Sequence, residues 1–147
     1  MLMKFTQKIY DNAALTIGDT ISPAFRLDGP PKDTDNDVQE FLVLVIFTNS
    51  EADGGIQAVE ELSGENVDWH QGIHLDDGGL DFTGLGPHYA SAPLFPMQDN
   101  SGIETPFSVA LSYFRVNIAV TDGVSPNTAS AKVFLVSNKS FTATQMP

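Results

Sequence analysis

The chain has 147 residues, with 19 acids against 7 lysines and arginines (formal net charge −12) and no cysteine. That length suits one domain able to bury about 70% of its extended-chain surface, and the missing cysteines exclude disulfides, thiolate nucleophiles and zinc–cysteine sites. The acid excess repels phosphate backbones, so nucleic acid is not an expected partner. The longest apolar run, Phe41 to Phe47, is far shorter than the roughly 20 residues that cross a bilayer, so the chain is expected to be soluble and to have no membrane partner.

The charge is uneven. Sixteen of the acids lie between Asp28 and Glu104 beside a single base, Lys32, whereas the first ten residues hold Lys4 and Lys8 and no acid. The opening "MLMKFTQKIYDN" has no apolar h-region followed by a small-residue cleavage site, so no secretory signal is expected. Residues 1–16 read either as an extended N-terminal arm or as a first strand. Leaving large apolar side chains such as Leu2, Phe5 and Ile9 in water forgoes about 1.5–3 kcal/mol for each one that burial would cover.

Residues 17–147 read as one domain of short strands. "ALTIGDTISPAFRLDG" suggests two strands around Gly18-Asp19. "KDTDNDVQE" sets Asp33, Asp35 and Asp37 in the rhythm of a calcium loop. An EF-hand, however, needs glycine where Val38 stands and a bidentate glutamate where Leu44 stands, so a solvated acidic loop is expected. "EFLVLVIFT" is continuous, apolar and β-branched, which predicts a fully buried central strand. "IQAVEEL", between Gly54-Gly55 and Ser63-Gly64, leaves room for a short strand, and "VDWHQGIHL" reads as a strand broken at Gly72.

Leu75 to Pro106 is rich in glycine and proline and predicts a long loop excursion, a place where contacts or function concentrate. "PFSVALS" leads into "SYFRVNIAVT", where Phe114, Val116, Ile118 and Val120 alternate with Arg115, Asn117, Ala119 and Thr121, the period of a half-buried strand. "TDGVSPNTAS" carries turn chemistry, and "AKVFLVS" is a second strand, so the pair is expected to form a hairpin with a long loop. The whole reads as an all-β, antiparallel sandwich or barrel with no amphipathic helix and no repeat.

Chemistry finds little purchase. His70, His74 and His88 show no ligand spacing, and Asp76, Asp77 and Asp81 read as another solvated acidic loop, so neither a metal nor another cofactor is expected. No nucleophile elbow, phosphate loop or metalloprotease motif occurs, so no catalytic residue is assigned and no enzymatic activity is expected. Trp69 is expected in the core, with a sugar-stacking platform as the alternative.

"SGENVDW", Ser63 to Trp69, resembles the S-x-D-G-x-x-W turn frequent in tailed-bacteriophage virion proteins, with Glu65-Asn66 in place of Asp-Gly. "YFRVNIAVTDGVSPNTASAKVFLV" resembles the closing hairpin of those proteins, and "ISPAFRLDGPP" their opening strand. The resemblance implies a jelly-roll-like sandwich in a virion, most like a capsid decoration (cement) protein on the capsid exterior. It implies the major capsid protein and further copies of the chain, as a homotrimer, as partners.

Under that reading Leu2, Lys4, Phe5, Lys8, Ile9 and Tyr10 are the expected shell contacts, and Tyr89, Leu94, Phe95 and Met97 the expected contacts between copies. A tail or neck module of the same virion is one alternative. A carbohydrate-binding module using Trp69, Tyr89 or Tyr113, with acidic loops for calcium, is the other.

Overall fold

The computed structural model describes residues 3–28, 39–94 and 113–147, and these build two antiparallel sheets packed face to face. In chain order the strands are β1 (Phe5–Leu15), β2 (Gly18–Ile21), β3 (Phe25–Asp28), β4 (Phe41–Thr48), β5 (Gly55–Ser63) and β6 (His70–Leu75). They continue with β7 (Phe82–Thr83), β8 (His88–Pro93), β9 (Tyr113–Thr121), β10 (Ala129–Ser137) and β11 (Thr142–Gln145). The first sheet runs β1-β10-β4-β8. The second runs β11-β3-β9-β5-β6, with β2 also on β9 and β7 also on β5.

Two pairs of strands act as single interrupted strands. β2 pairs with residues 117–120 of β9 and β3 with residues 113–114, in one line. Pro23 has no N–H to give the ladder. At this break the Ser22 N–H donates to Val116 O (2.9 Å) and the Ser22 hydroxyl accepts from the Val116 N–H (3.0 Å). β6 and β7 likewise line up along β5. With those mergers the orders become β1-β10-β4-β8 and β3-β9-β5-β6, with β11 added along the outer edge of β3. Only β5 and β6 are consecutive strands in one sheet, and the other links cross between sheets. This is the jelly-roll arrangement of two interlocked Greek keys.

The expected hairpin of "SYFRVNIAVT" and "AKVFLVS" is therefore absent. β9 lies in the second sheet, between β3 and β5, and β10 in the first, between β1 and β4. Period-2 alternation fixes which residues of a strand face inward, but not which sheet the strand joins. Both strands turn an apolar set into the same core: Phe114, Val116, Ile118 and Val120 from one side, Ala131, Val133 and Leu135 from the other. The connection 122–128 is an arch over the end of the sandwich.

Three other expectations change. "EFLVLVIFT" is central, but only Phe41, Val43, Val45 and Phe47 are fully inside, while Leu42, Leu44 and Ile46 are half-buried on the outer face. "IQAVEEL" belongs to a nine-residue central strand rather than a short one. The Leu75–Pro106 excursion contains β7 and β8, the latter an edge strand on β4 where Pro93 costs no ladder bond. "PFSVALS" and the calcium-like Asp33, Asp35 and Asp37 lie outside the described residues.

Residues 5–15 form β1 and pair with β10, so this part of the N-terminal stretch is a strand of the domain and not a free arm. Its Gln7 carboxamide donates to Ala143 O (2.9 Å) and accepts from the Ala143 N–H (3.1 Å), tying the edges of the two sheets together. Within the core Glu60 is fully buried at a bulge, and its Oε2 accepts the Ile73 N–H at 3.0 Å.

The arches after β4 and β9 are held by one side chain. Buried Asn127 accepts at Oδ1 from the Ser50 and Glu51 N–H groups (3.0 and 3.2 Å). Its Nδ2 donates to Asn49 Oδ1 and Thr121 O (2.8 and 3.1 Å). Asn49, also buried, donates through Nδ2 to Phe82 O and Gly84 O (3.1 and 2.7 Å), which adds the β7–β8 link to the cluster.

Truncating Asn127 strands these partners, so Asn127→Ala is expected to cost roughly 2–4 kcal/mol by urea unfolding. A loss below about 0.5 kcal/mol, the range of ordinary surface changes, would contradict the brace. A Cβ on Gly54 would overlap the Asn127 carboxamide, so Gly54→Ala is expected to cost about 1–3 kcal/mol by the same measurement.

Candidate interaction surfaces

The register brings the connections 16–17, 49–54, 76–87 and 122–128 to the same end of the sandwich. Leu15 pairs with Ala129, Thr48 with Ser130, Gly18 with Val120, and Gly55 with both Thr121 and Thr83. Beyond Asn127 and Asn49, the Asn49 N–H donates to Leu85 O (3.0 Å) and the Gly84 N–H to Gly54 O (3.3 Å). The Thr121 hydroxyl donates to Asp81 Oδ2 (3.1 Å). His88 stacks on Phe82 (5.5 Å between centroids, 24° between planes) with Nε2 3.0 Å from Gly84 O.

From this fixed base four large apolar side chains stand in solvent: Ile17 (64% exposed), Leu80 (72%), Leu85 (53%) and Val124 (88%). Glu51, Asp53, Asp76, Asp77, Asp81 and Asp122 lie on the connections at this same end. A shallow depression lies beside Leu80, lined also by Asp77, Gly79, Asp81 and Thr83. Exposed apolar side chains among charged ones are the pattern of a protein-contact surface.

A second apolar surface is the outer face of the β1-β10-β4-β8 sheet. Cross-strand pairing sets Asp11, Lys132, Ile46 and Tyr89 in one row, Lys8, Phe134, Leu44 and Ser91 in the next, and Thr6, Val136, Leu42 and Pro93 in the third. Among the described residues, the charges at outward positions of these strands are Lys8, Lys132 and Asp11, the last bonded to Lys8 at 3.1 Å. In a chain of net charge −12 this face carries no acid excess.

The expected contact residues divide accordingly. Lys4, Phe5 and Lys8 are exposed along β1, with the Lys4 ammonium 5.6 Å from the Phe5 ring centroid, and Tyr89 is 64% exposed on β8. Tyr10 is half-buried against the core. Ile9 and Leu94 are core residues and cannot serve as contacts, because the alternation of β1 turns Ile9 inward and the Leu94 N–H caps the sheet at Phe41 O (3.0 Å). Leu2, Phe95 and Met97 lie outside the described residues.

The outer face of the other sheet answers the question of Trp69. Its ring is half-buried outside the core, with the Arg115 guanidinium 4.0 Å from the ring centroid and Arg115 Nε 2.6 Å from Glu61 Oε1. Both the core expectation and a platform on the Arg115 side of the ring are set aside. The preceding turn is held by the Ser63 hydroxyl, which accepts the Glu65 and Asn66 N–H groups (3.3 and 2.9 Å). Asn66 takes a left-handed φ of 62°, where the resembled turn has glycine.

Among the described residues no group of three or more His, Asp or Glu side chains gathers as metal ligands would. His70 and His74 lie on β6, whereas His88 is engaged with Phe82 at the start of β8. Asp76 Oδ1 accepts the Gly79 N–H (3.1 Å) and Asp81 holds Thr121.

No family model and no curated protein matches the sequence. Among solved structures, a chain of the structure of infectious bursal disease virus Gx strain superposes with a TM-score of 0.41 at 12% identity. The match covers 92% of this chain and 32% of that one, so this chain spans about a third of the length of that protein.

Trp69 is the single tryptophan and reports on its own stack. Arg115→Ala is expected to shift its emission to longer wavelength as water reaches the ring, and to cost about 1–2 kcal/mol in urea unfolding. An unchanged emission maximum would show that the stack does not hold in solution.

Proposed function

We propose that this chain is a non-enzymatic structural protein of a virion, a decoration (cement) protein that binds the major capsid protein on the capsid exterior and works as a homotrimer. The observation that supports this most is the outer face of the β1-β10-β4-β8 sheet. In a strongly acidic chain it gathers Leu42, Leu44, Ile46, Phe134 and Tyr89 with Lys8 and Lys132. Exposed apolar area of this kind serves contact with another macromolecule. The jelly-roll order adds a fold-level analogy, since viral capsid domains are among the proteins that use it.

The two margins of this sheet suit different partners. Lys4, Phe5 and Lys8 mark the β1 margin and are assigned to the shell, and Tyr89 marks the β8 margin and is assigned to a neighbouring copy. Such a clamp needs stiffness and complementary surface rather than reactive groups. The braced arches provide the stiffness.

The test is co-sedimentation of purified protein with capsids that lack it. Wild type is expected to pellet with the shells at saturable stoichiometry. Lys4→Glu/Lys8→Glu is expected to lose that binding while keeping the wild-type circular dichroism spectrum and urea midpoint. Wild-type protein left wholly in the supernatant at low and high salt would overturn the reading.

A further inference from the structure

We propose that two copies of this chain join end to side, with the braced loop end of one seated on the β4–β8 half of the outer sheet face of the next. This deepens the reading above by naming the contact between copies, and it rests on that reading for its purpose, not for its test.

The two surfaces complement each other within one sequence. The loop end offers exposed Leu80, Leu85 and Val124 on connections that also carry Glu51 and Asp53. The sheet face offers Ile46, Leu44 and Tyr89 beside Lys132, paired across the strands in adjoining rows. Joining two loop ends would set carboxylates against carboxylates, and joining two sheet faces would bring together two surfaces on which Lys8 and Lys132 outnumber Asp11. Of the three combinations, end to side is the one that pairs apolar with apolar and acid with base.

Asp53 and Glu51 are well placed for this. A Cβ on Gly123, the neighbour of Val124, would overlap both of them, so the connections that carry the acids and the exposed valine are packed against each other. Because Asn127 and Asn49 already fix the backbone on which the patch stands, docking orders little that is not ordered beforehand, which lowers its entropic cost. Two unlike patches make a heterologous contact, which repeats until the rotation closes a ring, and a ring of three is one such closure.

Light scattering of the purified full chain over a range of concentrations tests this without any capsid. Mass above the monomer is expected to grow with concentration. Val124→Asp, Asp53→Lys and Lys132→Glu are each expected to weaken association several-fold, since all three side chains are exposed and none belongs to the brace. An equimolar mixture of the Asp53→Lys and Lys132→Glu proteins is expected to regain part of the association, because every junction between unlike copies again pairs opposite charges, while a ring of three keeps one junction between like copies.

Wild type that stays monomeric at every concentration and salt would overturn the proposal. So would association that these variants leave unchanged, or a mixture no better than its components. Association without capsid binding would remove the decoration role and leave this contact standing, and capsid binding by a strict monomer would do the reverse.

Discussion

Two chain crossings, after β4 and after β9, pass over the same end of the sandwich, and each strands backbone N–H and C=O groups that no ladder can satisfy. A jelly roll multiplies such crossings, because nearly every consecutive pair of strands lies in opposite sheets. Here the carboxamide of Asn127 serves both crossings at once, and Asn49 extends the network to Phe82 and Gly84. A buried network is favourable only when its members are satisfied, and most of the hydrogen-bonding capacity of these two side chains is in use. The glycine at position 54 belongs to the same solution, since a larger residue would displace the amide.

This constraint also decides what the end of the molecule presents. With the polar groups of the arches turned inward onto Asn127 and Asn49, Ile17, Leu80, Leu85 and Val124 are left outside, and the backbone at Leu80 and Leu85 is held by its own bonds to Asp77 and Asn49. The opposite choice is made at the sheet edges, where the Gln7–Ala143 pair closes β1 onto β11 and limits exposed ladder groups. Acids crowd the loop end, while the outer face of the β1-β10-β4-β8 sheet keeps its lysines. The charge asymmetry seen along the sequence thereby becomes an asymmetry in space.

The strands themselves were legible because burial imposes a period of two: the inward residues of β9 follow the alternation of "YFRVNIAVT" residue by residue. Their partnership was not. A run such as "TDGVSPNTAS" has the composition of a turn whether it closes a hairpin or arches between sheets, and nothing local distinguishes Asn127 from the polar residues around it. The outer face of β4 escaped for a related reason, since a run apolar on both sides reads as wholly buried. Ile9 was misplaced on the surface because the stretch was read as a possible free arm, although the alternation of β1 turns it inward, and Leu94 because a strand end ties it to Phe41. Trp69 went to the outer sheet face because Arg115, next to Phe114 at the start of the apolar pattern, supplies a cationic cover that composition does not announce.

Asn49 and Asn127 act as one brace joining the arches. A double-mutant cycle with Asn49→Ala, Asn127→Ala and the double variant, followed by urea unfolding, measures their coupling directly. The brace predicts a coupling of about 1–3 kcal/mol, with the double variant losing much less than the two single losses added together. Additivity within about 0.5 kcal/mol would mean that the two amides act separately, and would contradict it.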